Sequence, residues 1–243
     1  MLMSNNVEAL IISFIAVCAA LIVYDIACAL QIRHRGARIQ RIASSTDTVA
    51  AFLRSPRKLR SEKRLRAVEL CFDTMLEDAP EQFRTLREDA VSAFSALICA
   101  KDGTEDILMA YILFLSVKYR LFYKTEDETL KTALLFMTVK NNLYLRENAL
   151  HCIYSTGEAE LVCRALRHLD SCGTEHHRQL LIEGLMHFAG DRQALIDCLT
   201  AHFYEFSAEM QSVISAFFLL AGTDGISADT PGTIHLRKEV TRR

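Results

Sequence analysis

The sequence predicts an all-α protein: an N-terminal transmembrane helix followed by a solenoid of antiparallel helix pairs. Three observations carry that prediction. Residues 7–32 are almost uninterruptedly apolar, broken only by Glu8, Ser13, Asp25 and Gln31. Farther on, apolar residues recur at every third or fourth position nearly to the end, the spacing of a buried helix face. Segments ending in glycine at 157, 190 and 222 repeat at spacings of 33 and 32 residues. Composition agrees with all three. Only 9 Gly and 3 Pro among 243 residues argue against a turn-rich β fold, and 51% apolar residues suffice for a sizeable core.

Residues 1–6 are expected to be a short extracytoplasmic N-terminus and residues 7–32 the membrane-spanning helix. About 20 apolar residues cross a bilayer as a helix. A cleaved signal peptide would place its positive charge before a shorter apolar run and end at a small-residue cleavage site. Here the charge follows the run. Residues 1–8 contain no Lys or Arg, whereas Arg33, Arg35, Arg38 and Arg41 come directly after the span. The positive-inside rule then places the N-terminus outside and the rest in the cytoplasm, as a single-pass protein of the cell membrane. The 8 cysteines form no CxxC pair and fall mostly at apolar helix positions, which suits free thiols in a reducing compartment. Asp25, about two turns before Arg33, is the exception within the span. A carboxylate there is either tolerated near the interface or a contact to a second membrane helix, beside the small residues Ala27, Cys28 and Ala29.

Residues 33–66 form a basic juxtamembrane segment, with 11 Lys and Arg against Asp47 and Glu62. From residue 67 onward 17 basic residues face 26 acidic ones, so the net charge of −2 conceals a strong asymmetry. Arg33, Arg35, Arg38 and Arg41 are the candidate membrane-surface contacts. Each basic residue near anionic lipid head groups contributes about 1 kcal/mol. Nucleic acid is the rival partner for such a run. The run lacks interleaved aromatics, and the acidic remainder disfavours a DNA groove.

Residues 67–225 are expected to be the helical repeat domain. "EDAVSAFSALICAKDG", "TEDILMAYILFLSVKYRLF" and "DETLKTALLFMTVK" read as three helical blocks, and Pro80 suits the first turn of the helix leading into the first. The later segments align with one another: "YLRENALHCIYSTG" (144–157), "HRQLLIEGLMHFAG" (177–190) and "EMQSVISAFFLLAG" (209–222). Eight residues before the glycines stand Ala149, Ile182 and Ile214, and five before stand Cys152, Leu185 and Phe217. Each glycine reads as a helix stop in the left-handed conformation. Glu158 and Asp191 follow directly, where an acid favours the next helix N-terminus. From Gly103 to Gly157 the spacing is 54, so one unit is irregular or carries an added helix. Residues 226–243 read as a polar, flexible tail.

The helix–Gly–acid–helix plan resembles HEAT repeats of the kind found in bacterial HEAT-repeat-domain proteins, with "LRENALHCIYSTGEAELVCRAL" the nearest stretch. Tetratricopeptide and ankyrin signatures are missing. The resemblance implies an α-solenoid whose consecutive repeats build an extended binding surface. The expectation is therefore a membrane-anchored cytoplasmic scaffold or adaptor that binds a protein partner, itself membrane-associated. The alternatives are an enzyme or lyase on a solenoid, or a surface binder of anionic lipid or nucleic acid through 33–66.

No phosphate loop, dinucleotide fingerprint, zinc-protease motif or nucleophile elbow is present in the sequence. The expectation is no catalytic residue, no cofactor and no metal. Two stretches bear on that expectation. His176, Glu183 and His187 lie near one helix stripe, but His176 is two turns from Glu183. "KYRLFYK" (118–124) mixes cations with aromatics and reads as a helix end whose aromatics pack and whose cations are solvated.

Overall fold

The computed structural model describes residues 21, 24, 25, 27–100, 104–172, 178–222, 226–228 and 234–236. Most of the expected span over 7–32 lies outside these residues. Among the described residues no helix is long and apolar enough to cross a membrane. Helix α1 (27–43) carries the chain without a break from the end of the apolar run through the arginines.

Eleven α-helices are described. After α1 come α2 (Thr46–Leu53), α3 (Glu62–Asp78), α4 (Pro80–Cys99), α5 (Asp106–Lys118) and α6 (Glu128–Met137). Then follow α7 (Leu143–Thr156), α8 (Ala159–Ser171), α9 (Arg178–Met186), α10 (Arg192–Ala201) and α11 (Ala208–Leu220). The starts are set locally. Side chains of Ser45, Asp127, Asn142, Asp191 and Ser207 accept backbone N–H bonds as N-caps of α2, α6, α7, α10 and α11. Pro80 occupies the first turn of α4, as its sequence position predicts.

Packing follows a simple rule. The even helices α2, α4, α6, α8 and α10 contact one another in succession, and so do the odd helices α3, α5, α7, α9 and α11. The chain thus builds two rows of alternate helices, with the core between them. Phe72, Phe94, Leu113, Leu115, Leu130, Ile153, Leu166, Leu185, Leu199 and Phe217 all have 2% exposure or less. The aligned positions of the repeating segments behave alike. Ala149, Cys152, Leu185, Ile214 and Phe217 are buried, and Ile182 is half-buried. Between 103 and 157 lie three helices, α5 to α7, so α6 is the added element that lengthens this unit.

Two of the repeating glycines stop helices as expected: Gly157 has φ +75° and Gly222 has φ +72°. Gly190 is needed for a different reason. A Cβ at 190 would press into the backbone of Gly157, with its carbonyl carbon only 2.8 Å away. Successive turns therefore touch backbone to backbone, and the Ala189 N–H donates to the Tyr154 carbonyl at 3.1 Å. Lys131 is buried and ties α6 to the start of α8, its ammonium 3.0 Å from Glu128 and 2.8 Å from Glu158.

Within the tail, β1 (Ile226–Ala228) and β2 (Ile234–Leu236) pair antiparallel, with Ser227 opposite His235. Three-residue strands are too short for a period-2 pattern to register in a sequence. The all-α class holds for the remainder of the described chain.

Candidate functional site

The expected membrane-surface contacts lie where α1 meets the domain. Ala43 is buried, and Ile39 and Ile42 pack against the core, so the end of α1 is fixed to the body of the fold. Arg35 and Arg38 of α1 then face Lys63 and Arg66 of α3 across a groove of about 760 Å³. His34 and Glu62 also line it. Glu62 answers only one of these charges, pairing with Arg66 at 2.8 Å. The Lys63 pKa is lowered by partial desolvation and then by the nearby Arg38 and Arg64 guanidinium groups. Such a groove gathers cations to which an anionic group adds favourably. Of the four expected arginines the structure brings Arg35 and Arg38 into the groove; Arg33 and Arg41 are exposed and do not line it. Asp25 is helical and exposed, with Tyr24 exposed beside it.

A second groove of about 470 Å³ shares Gly36, Ile39 and Arg66 with the first and runs on to Glu69 and Asp73. Here α3 is locked to α5 by a polar network. Lys118 reaches Glu69 at 2.9 Å and Asp73 at 2.8 Å. The Tyr119 hydroxyl donates to Asp73 at 2.9 Å, and the Tyr111 hydroxyl donates to Glu69. Burial and then these carboxylates push both phenol pKa values up, so both stay protonated donors. The network is built for cohesion.

This corrects one expectation for "KYRLFYK". Tyr119 and Phe122 are buried as foreseen, but Lys118 is paired rather than simply solvated. Its partners lie 49 and 45 residues earlier, beyond the reach of a local pattern. Arg120 and Lys124 adopt positive φ, 49° and 55°, and turn the chain from α5 into α6.

Of His176, Glu183 and His187, His176 lies outside the described residues. Glu183 and His187 do not converge on a metal: the His187 Nδ1 pairs with the Glu183 backbone carbonyl at 2.7 Å, while the Glu183 carboxylate takes a bond from Gln179 at 3.0 Å. A cluster that the sequence reading missed lies one helix row away. Glu160, Cys198 and His202 hold ligand atoms within 4.8 Å of one another. The spacing Cys198–His202, one helical turn, is a local signal for it; the partner Glu160 is not, because only the register of α8 on α10 brings it there.

Of the other thiols, three are placed as small hydrophobes, and Cys172 is exposed. Cys71, Cys152 and Cys163 are buried, and every described cysteine is free. Burial pushes Cys152 up to about 12.

No family model, no curated protein and no solved structure matches this chain.

Proposed function

We propose that the protein is a membrane-anchored adaptor: an N-terminal span and its basic flank hold a HEAT-like solenoid at the cytoplasmic face of the membrane, where one row of helices docks a membrane-associated protein partner. The stacking of α3–α5–α7–α9–α11 beside α2–α4–α6–α8–α10 supports the solenoid reading. The continuity of α1 and the cation-lined groove support attachment to an anionic surface.

The observation that carries the partner is an asymmetry between the rows. Among the described residues, the odd row exposes Leu70 and Leu76 on α3, Ile107 and Phe114 on α5, Leu143 and Tyr144 on α7, and Leu219 and Leu220 on α11. The even row exposes a single large apolar side chain, Phe136 on α6. Scattered apolar residues need no explanation, but eight of nine on one row do. Aromatic and large aliphatic side chains are the usual anchors of an interface. Anchoring both molecules in one membrane raises their effective concentration.

The test places a photo-crosslinking residue at Ile107, at Tyr144, or at Glu88 on the even row, in the full chain in native membranes. The expected result is one discrete adduct at 107 and 144, identified as the same membrane protein, and none at 88. Equal yields at all three positions, or no adduct at 107 and 144, would refute the odd-row surface.

A further inference from the structure

Glu160 stands in the first turn of α8, Cys198 on α10, and His202 one turn later at the C-cap of α10. These helices are neighbours in the even row. Together the side chains offer an oxygen, a sulfur and an imidazole nitrogen, all within 4.8 Å. We infer that they form a zinc-binding site that clips α8 to α10, with water in the fourth position.

The donor set selects the metal. Thiolate and imidazole suit Zn²⁺, whereas Mg²⁺ and Ca²⁺ require oxygen ligands. The spacing fits as well. Bond lengths of about 2.3 Å to sulfur and about 2.0 Å to oxygen, opened to a tetrahedral angle, set the S···O separation at about 3.5 Å. The Cys198 sulfur lies 3.3 Å from Glu160 Oε2, where its S–H donates a hydrogen bond. Zn²⁺ takes the place of that proton: the S–H bond breaks, the S–Zn bond forms, and one proton leaves to solvent. No oxidation or reduction occurs.

The surroundings support the ligands. His202 Nδ1 lies 2.9 Å from Glu205 Oε1, which in the neutral ring holds the proton on Nδ1 and leaves the lone pair on Nε2. A carboxylate behind a metal-binding histidine is the usual orienting partner. Arg167 spans both carboxylates, 3.2 Å from Glu160 and 3.3 Å from Glu205, and fixes their positions. Charge also closes. One thiolate and one carboxylate neutralise Zn²⁺, while Arg167 balances Glu205. The ion pairs alone do not explain the cluster: the Glu160 side chain is 62% exposed, where solvent screens such a pair.

The experiment titrates Zn²⁺ into the reduced full chain in detergent against a chromogenic chelator, with Co²⁺ as a spectroscopic probe of thiolate ligation. The expected result is one Zn²⁺ per chain and a thiolate-to-cobalt charge-transfer band. Cys198→Ser, His202→Gln and Glu160→Gln should each weaken binding by at least about 100-fold, and Glu205→Gln by about 10–100-fold. Cys172→Ser, an exposed thiol elsewhere, should bind as the unaltered chain does. Helicity by circular dichroism confirms that each variant is folded, and Glu160→Gln, at an exposed position, keeps the test informative if the other two misfold. No binding by the unaltered chain, or a Glu160→Gln affinity within about threefold of it, would overturn the site.

Discussion

Gly190→Ala is the sharpest test of how the repeating units meet. Nothing in the Gly190 backbone conformation forbids alanine, since its φ is not in the left-handed range. The obstacle is space. The new methyl would lie 2.6 Å from the Phe188 ring and 2.8 Å from the Gly157 carbonyl carbon. The ring can turn aside, but the backbone cannot. Ordinary contact begins at 3.4 Å, so the two turns must part by at least 0.6 Å, the difference between 3.4 and 2.8 Å. That motion stretches the 3.1 Å bond from Ala189 N–H to the Tyr154 carbonyl past hydrogen-bonding range. Losing it costs about 1 kcal/mol, and overpacking adds about 1–3 kcal/mol. A reduced unfolded-state entropy offsets about 0.4–1 kcal/mol. The net loss is about 1–3.6 kcal/mol, or about 2–14 °C in Tm for a chain of this size. Gly222→Ala supplies the reference. It has φ +72° but nothing within 4 Å, so it carries the left-handed cost of about 1–2 kcal/mol less the same entropic offset, a net loss of about 0–1.6 kcal/mol. Gly36→Ala, in α1 with open space around it, should stabilise by about 0.5–1 kcal/mol. Urea unfolding of the three variants, followed by circular dichroism, measures the order. A Gly190→Ala variant no less stable than Gly222→Ala would refute the backbone contact.

Two further outcomes are expected. The Asp127 carboxylate caps α6, and its bonds from the Leu130 and Thr129 N–H groups, with Ser95 and Lys131, hold its pKa below the ordinary 3.8. A lowered carboxylate pKa stabilises the fold above the ordinary value, and that contribution is lost as pH falls through the folded value. Asp127→Ala should therefore cost about 1 kcal/mol at pH 7, a gap that narrows once the pH drops below 3.8; a pH-independent gap in urea midpoints would contradict this origin. For topology, the exposed Cys172 is the proper reporter, because Cys71 is buried and Cys198 is only partly accessible. A membrane-impermeant maleimide should leave Cys172 unlabelled in intact cells and label it after permeabilisation; labelling from outside would reverse the proposed orientation.

Helix content was legible wherever the pattern was local. Pro80, Asp191 and the apolar stripe ending in Cys152 and Phe217 took the places their spacing predicts. Gly190 shows the limit of that reading. Its alignment with Gly157 and Gly222 was visible, but the reason differs: two glycines supply a left-handed turn and the third supplies clearance. No one-dimensional pattern separates those roles. Pairings across the rows were equally hidden. Lys118 with Glu69 depends on how α3 lies on α5, and Glu160 with Cys198 on how α8 lies on α10. The basic segment was legible as charge, yet only the docking of α1 selects Arg35 and Arg38, with Lys63 and Arg66, from it.

The two-row packing also bears on how the chain comes to be folded. Each helix makes its main contacts with the next helix or the next but one. Even the bond from Tyr119 back to Glu69 spans only 50 residues. Loop closure over such distances is rapid, and domains settle from the N-terminus as synthesis proceeds. Once α4 and α5 have left the ribosome, α3 has its neighbours; each later helix adds to an edge already in place. The contact pattern therefore lets each helix pack onto its neighbours as it emerges, in the order of translation.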